Sequence, residues 1–200
     1  MRWRLTTNGV LVEGEAAPIG SGGPPTTMGR VWTNFRAPIE AVAQNRNVPI
    51  ELIMATIGAE SSGKPDAVRH EPGYVSDEAT PGKVSIGLMQ TLISTARQAL
   101  NRPALTGDDL LDPMTSIDAG AAYIAQQQGQ TGYDPPVVAC AYNAGSVAHN
   151  DGVNNRWKMR QFPIGTDEHA NRWVKWFNDC FLLFADPATT APAAATPRMR

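Results

Sequence analysis

No run of residues in this 200-residue chain approaches the roughly 18 consecutive apolar positions that a membrane-spanning helix needs. An N-terminal secretory signal is not expected either, because MRWRLTTNGVLVEGEAAPIG carries basic residues without an apolar run behind them. A target outside the cytoplasmic membrane therefore requires another route across it. Charge of one sign is also scarce. The 17 Lys and Arg nearly offset the 19 Asp and Glu, for a net charge of −2. Such a chain has no global basic field, which argues against nucleic acid as a partner, although a local groove can still hold an anionic wall polymer. Cysteine is limited to Cys140 and Cys180, both in apolar helical contexts and without a CxxC spacing. Buried thiols are expected rather than a metal site or redox pair, with a disulfide between the two left open. The three histidines, His70, His149 and His169, are too scattered for a metal triad and are expected on the surface or in loops. No phosphate loop, Ser/His/Asp motif or cysteine-nucleophile context is present, so neither a metal nor an organic cofactor is expected.

What is present is enough apolar material, 42% of residues, for one good core. The chain divides into an N-terminal arm and Gly/Pro linker (1–29), a globular domain (30–185) and a disordered Ala/Thr/Pro tail (186–200). A short strand pair is expected around Asn8-Gly9. In the domain, Trp32, Phe35, Ile39, Val42 and Ala43 recur at helical spacing, with Pro38 tolerable only near a start or kink. The segment Lys64 to Lys83, broken by Pro65, Pro72, Gly73, Pro81 and Gly82, is long enough to suggest a functional loop, with short strands near Ala67 to Arg69 and Val84 to Ile86. Helices follow over Ser94 to Leu100, after Asp112-Pro113, and after Asp134-Pro135 up to Gly145. A last one carries the aromatic face of Trp173, Trp176, Phe177, Cys180, Phe181 and Phe184. The fold class is therefore mainly α, six or so helices with at most a small β flap.

The chain is organised around Asn47 to Gly63, NVPIELIMATIGAESSG. Asn47 as cap, Pro49 in the first turn and Gly63 as a left-handed stop predict a helix with Leu52, Ile53, Thr56, Ile57 and Glu60 on one face. A carboxylate that ends an apolar stripe at the negative pole of a helix is disfavoured in its charged form. That is the setting of a general acid, although most helix-end glutamates are simply solvated.

Three motifs then occur in order: Glu60-Ser61-Ser62-Gly63, Gly87-Leu88-Met89-Gln90 and Ala141-Tyr142-Asn143-Ala144-Gly145. Together they resemble the motifs of soluble-lytic-transglycosylase-type (SLT) domains of the lysozyme-like superfamily, over roughly residues 32 to 184. The resemblance implies a catalytic Glu60. It protonates the glycosidic oxygen between N-acetylmuramic acid and N-acetylglucosamine, then takes the proton of the muramoyl C6 hydroxyl as that oxygen attacks C1, leaving a 1,6-anhydro end. It further implies peptidoglycan glycan strands as substrate. The implied groove residues are Ser85, Met89, Gln90, Tyr142 and Asn143, with Gln90 free to bind sugar through both ends of its amide. Duller roles exist: Met89 as core filler, Tyr142 as core aromatic, Asn143 at the helix C-terminus. One departure concerns a late motif resembling Glu-Thr-Arg-x-Tyr-Val, where this chain has His169-Ala170-Asn171-Arg172-Trp173-Val174. Trp173 either walls the groove or joins the aromatic core stripe.

Two alternatives stand beside this reading. A goose-type lysozyme would hydrolyse the same bond with a second carboxylate, for which Glu71, Asp77 and Glu78 are the loop candidates. A glycan-binding module would keep the groove without needing Glu60. The absent leader and the tails suggest a bacteriophage protein, either a virion component attached through its N-terminal arm or a holin-released endolysin, with a secretion-machine cargo as the other option.

Overall fold

The computed structural model describes residues 2–199. The chain opens with the antiparallel pair β1 (Trp3–Thr6) and β2 (Gly9–Val12), followed by helices α1 (Thr26–Arg46) and α2 (Ile50–Ser61). A three-stranded antiparallel flap follows, built from β3 (Val68–His70), β4 (Val84–Ile86) and β5 (Thr91–Leu92) in that spatial order. The remainder is helical: α3 (Ile93–Leu100), α4 (Gly107–Leu111), α5 (Pro113–Gln126), α6 (Gln128–Thr131), α7 (Pro135–Ala144) and α8 (Glu168–Ala185).

Helix α2 is the centre of the molecule. The sequence predicts an amphipathic helix, but every residue from Ile50 to Gly58 is buried. A helix apolar all round is stable only when other elements cover it on every side, and α1, α5, α7 and α8 do so here. Gly58 permits the closest approach, since a Cβ there would lie 2.6 Å from the Met28 side chain and 3.1 Å from Trp176. Asn47 does not cap α2. It adopts the left-handed conformation that ends α1, and Pro49 takes the N-cap position. At the other end Ser62 rather than Gly63 is the left-handed C-cap, with φ 54°. In α1, Phe35 departs from helical geometry three residues before Pro38, which relieves the clash of the proline ring with the preceding turn. Asp112 and Asp134 cap α5 and α7 through the Thr115 and Val137 amides, and a proline follows each, as their sequences predict.

Both termini pack onto the domain. Val10 and Val12 of the hairpin lie in the core, and Asn178 of α8 binds both the amide and the carbonyl of Val10. Trp3 donates to Asp134 at the head of α7. The sequence predicts a mobile tail after Asp186. The structure instead lays residues 186–199 along α1 and α2. Trp32 Nε1 donates to the Thr190 carbonyl, Ile50 N–H to the Pro197 carbonyl, and Arg198 pairs at 2.9 Å with the fully buried Glu51. The reason is backbone chemistry: the tail supplies carbonyls to donors that α1 and α2 leave unpaired.

Candidate active site

Glu60 stands in the last turn of α2, with its side chain only 12% exposed. Burial pushes its pKa up to about 7, against the opposing pull of the Arg69 and Arg172 guanidinium groups. A carboxyl group balanced near neutrality can give a proton and take one back. Ser61 fixes the turn that carries it, since its Oγ donates to the Leu88 carbonyl at 2.7 Å and accepts from the Gly63 amide.

Leu88 belongs to the turn Gly87 to Gln90 between β4 and β5, which forms one wall of the site. Gly87 is at φ 78°, and a Cβ there would meet the Leu110 carbonyl at 2.1 Å, so this wall tolerates only glycine at that point. Met89 does not face the groove: it is fully buried against Gly120, where a Cβ would come within 2.5 Å of its sulfur. What reaches the site is the Met89 carbonyl, which accepts from the Tyr142 hydroxyl at 2.8 Å. Gln90 lines the groove, but its amide is already engaged. Nε2 donates to the Ala67 and Gly87 carbonyls at 2.8 and 3.0 Å, and Oε1 accepts from Ser85 Oγ at 3.3 Å. The free amide expected from sequence is thus a strut that holds the strained turn, where Gln90 itself sits at φ 47°. Ser85 is buried and donates to the Gln90 amide oxygen.

Tyr142 and Asn143 end α7 on the opposite wall. Burial, with Glu60 nearby, pushes the Tyr142 phenol well above its ordinary range, so it serves as a neutral hydrogen-bonding group. Its hydroxyl contacts Thr91 as well as Met89, and Tyr123 of α5 packs edge-on against its ring at 5.4 Å between centroids. Asn143 Oδ1 accepts the Phe162 amide proton and so holds that half-exposed aromatic at the rim.

These side chains enclose a groove of about 650 Å³, whose lining includes Glu60, Arg69, Gln90, Tyr123, Tyr142 and Phe162. Ser85 and Asn143 also line it; Met89 does not. Of the loop carboxylates, Glu71 lines the groove and pairs with Arg69 at 2.6 Å, whereas Asp77 accepts from Tyr74 and, like Glu78, lies outside the lining.

Sequence reasoning missed Tyr123 and Phe162, which carry no motif, and misplaced His169. That histidine is buried in the first turn of α8, with Nε2 3.8 Å from Glu60 Oε1, whereas His70 stacks on Tyr74 and His149 pairs with Asp151. Trp173 is in the core, donating to Thr56 at 3.2 Å. Cys140 and Cys180 are free and buried, and burial pushes the Cys140 thiol up to about 12. No helix is long and apolar enough to cross a membrane among the described residues.

Among solved structures, the X-ray structure of an inactive mutant of the lytic transglycosylase Slt from Pseudomonas aeruginosa matches with a TM-score of 0.54 and 21% identity, over 82% of this chain and 26% of that one. This chain therefore spans about a quarter of that protein's length. At such identity the likeness shows the fold, mainly α and lysozyme-like. The sequence profile of the transglycosylase SLT domain matches residues 37–161, a span that runs from α1 to the loop before α8 and contains Glu60, the Gly87 to Gln90 turn and Tyr142. The chain belongs to the transglycosylase SLT domain family.

Proposed function

We propose that this domain cleaves peptidoglycan between N-acetylmuramic acid and N-acetylglucosamine by lytic transglycosylation, forming a 1,6-anhydro-muramoyl end. The observation that carries the reading is Glu60, a largely buried carboxyl group on the wall of an open groove, held near pKa 7 by burial. In its acid form Glu60 protonates the glycosidic oxygen as the bond to C1 breaks. The resulting carboxylate then removes the C6 hydroxyl proton as that oxygen closes on C1, which returns Glu60 to its starting state. Neutral Tyr142 and the Met89 carbonyl keep the surrounding wall in place, and the Tyr123 and Phe162 rings offer apolar faces to the sugars.

A second reading, hydrolysis, is favoured by one observation: Glu71 shares the groove with Glu60. Its contact with Arg69 opposes it as a water-activating base, because the guanidinium occupies the same carboxylate. Replacing each glutamate by glutamine separates the readings. Transglycosylation predicts that E60Q loses on the order of 10²–10⁴-fold in clearing rate on purified peptidoglycan while still binding it. It also predicts that E71Q stays within a few-fold of the parent. A collapse of both variants favours the hydrolase, and full clearing by E60Q rejects both.

A further inference from the structure

The site contains one buried polar atom without a partner that the reaction above does not use. His169 is 4% exposed in its side chain, and its Nε2 makes no hydrogen bond, although it is aimed at Glu60 Oε1 from 3.8 Å away. The Ala139 backbone favours a charged imidazole, which places a ring N–H on the side of that carbonyl. Nε2 has no partner, so the donor is Nδ1, and in the neutral ring Nε2 is then a bare lone pair. Burial and the two arginines keep the ring neutral, pulling its pKa down to about 4.

A lone pair cannot bind a carboxylate, but it can bind a carboxylic acid. We propose that His169 is a positioning residue for Glu60, its Nε2 accepting the proton of the Glu60 carboxylic acid whenever the groove holds no sugar. The carboxyl has to move by about 1 Å to reach hydrogen-bond distance. Held this way, Glu60 waits in the protonated form that the first step needs, and an entering glycosidic oxygen competes with Nε2 for the same proton. Trp173, four residues on in α8, commits its N–H to Thr56 and is not available to Glu60. His169 Nε2, from the first turn of α8, stands 3.8 Å from Glu60 Oε1. The other titratable or charged groups facing the pair are Arg69 from β3, Arg172 from α8 and Tyr142 from α7.

This inference rests on the proposed role of Glu60, and its test reads the pair without turnover. Carboxyl ¹³C NMR of the full chain, with E60Q to assign the resonance, follows the Glu60 titration in the parent, H169F and H169Q. The expected midpoint falls by about one pH unit in H169F, which fills the space without an acceptor, and returns in H169Q, whose amide oxygen accepts. Ring ¹⁵N shifts should show Nε2 unprotonated at neutral pH. An unchanged midpoint in both variants, or a protonated Nε2, overturns the proposal. Should H169F misfold, the ¹⁵N measurement on the parent decides by itself. Mass spectrometry of cleavage products decides the transglycosylase reading separately.

Discussion

Ser61 Oγ donates to the Leu88 carbonyl at 2.7 Å, so the residue after Glu60 is tied directly to the turn that forms the facing wall of the groove. The two segments are joined by a long irregular loop, and this bond fixes their spacing at the point where chemistry is proposed. S61A removes the hydroxyl that bonds the Leu88 and Ile57 carbonyls and the Gly63 amide, and it leaves the Leu88 carbonyl without that donor, with an expected cost of about 1–3 kcal/mol. Urea denaturation should register that cost. The clearing rate should fall about tenfold or more with little change in glycan binding, because a small displacement of Glu60 harms the reaction more than it harms affinity.

The tail makes a second long-range tie. Glu51, fully buried at the head of α2, is neutralised by Arg198, and its other oxygen accepts the Met199 amide. Removing Arg198 leaves a buried carboxylate without its cation, for which R198A should lose about 2–4 kcal/mol in urea denaturation. The double variant E51Q/R198M, with no charge to strand, should recover most of that loss. An R198A protein as stable as the parent would mean that the tail does not hold this position in solution.

The buried pair at the site gives stability an unusual pH dependence. Glu60 is raised in the fold from 4.5 to about 7, so the stability it contributes is fully present below pH 4.5 and is lost as pH rises through 7. His169 is lowered from 6.5 to about 4, so its contribution is present above pH 6.5 and is lost as pH falls through 4. Between these limits the two slopes oppose each other, and the parent's stability should be nearly flat in that window. E60Q should unmask the histidine slope, with stability rising from pH 4.5 to 6.5, and should exceed the parent above pH 7 by on the order of 2 kcal/mol. H169F should show the reverse slope. Urea midpoints at four pH values check both signs.

How much of this was legible in the sequence follows from the range of each interaction. Asp112 and Asp134 announce their helices because a cap and its proline are adjacent in the chain. Glu60 is singled out in the sequence because its helix and its tetrapeptide are local signals. Asn47 reads as the cap of α2 because only three residues separate the two helices, and a left-handed conformation suits the end of the first as well as its side chain suits the start of the second. Ala67, which anchors the Gln90 amide, lies 23 residues away, and Glu51, which anchors Arg198, lies 147 away, so no local pattern shows either bond. The tail's Ala/Thr/Pro composition carries no periodicity, yet its bonds are largely backbone bonds, which composition does not encode. His169 reads as one more polar residue at a helix start until α8 is packed against α2.

In the proposed reaction Glu60 acts alone, as acid and then as base, on a muramoyl residue. Mass spectrometry of the soluble products from purified peptidoglycan, with E60Q alongside, tests it most directly. The prediction is anhydro-muropeptides from the parent and none from the variant. Products with free reducing ends, or anhydro products that persist in E60Q, would contradict it.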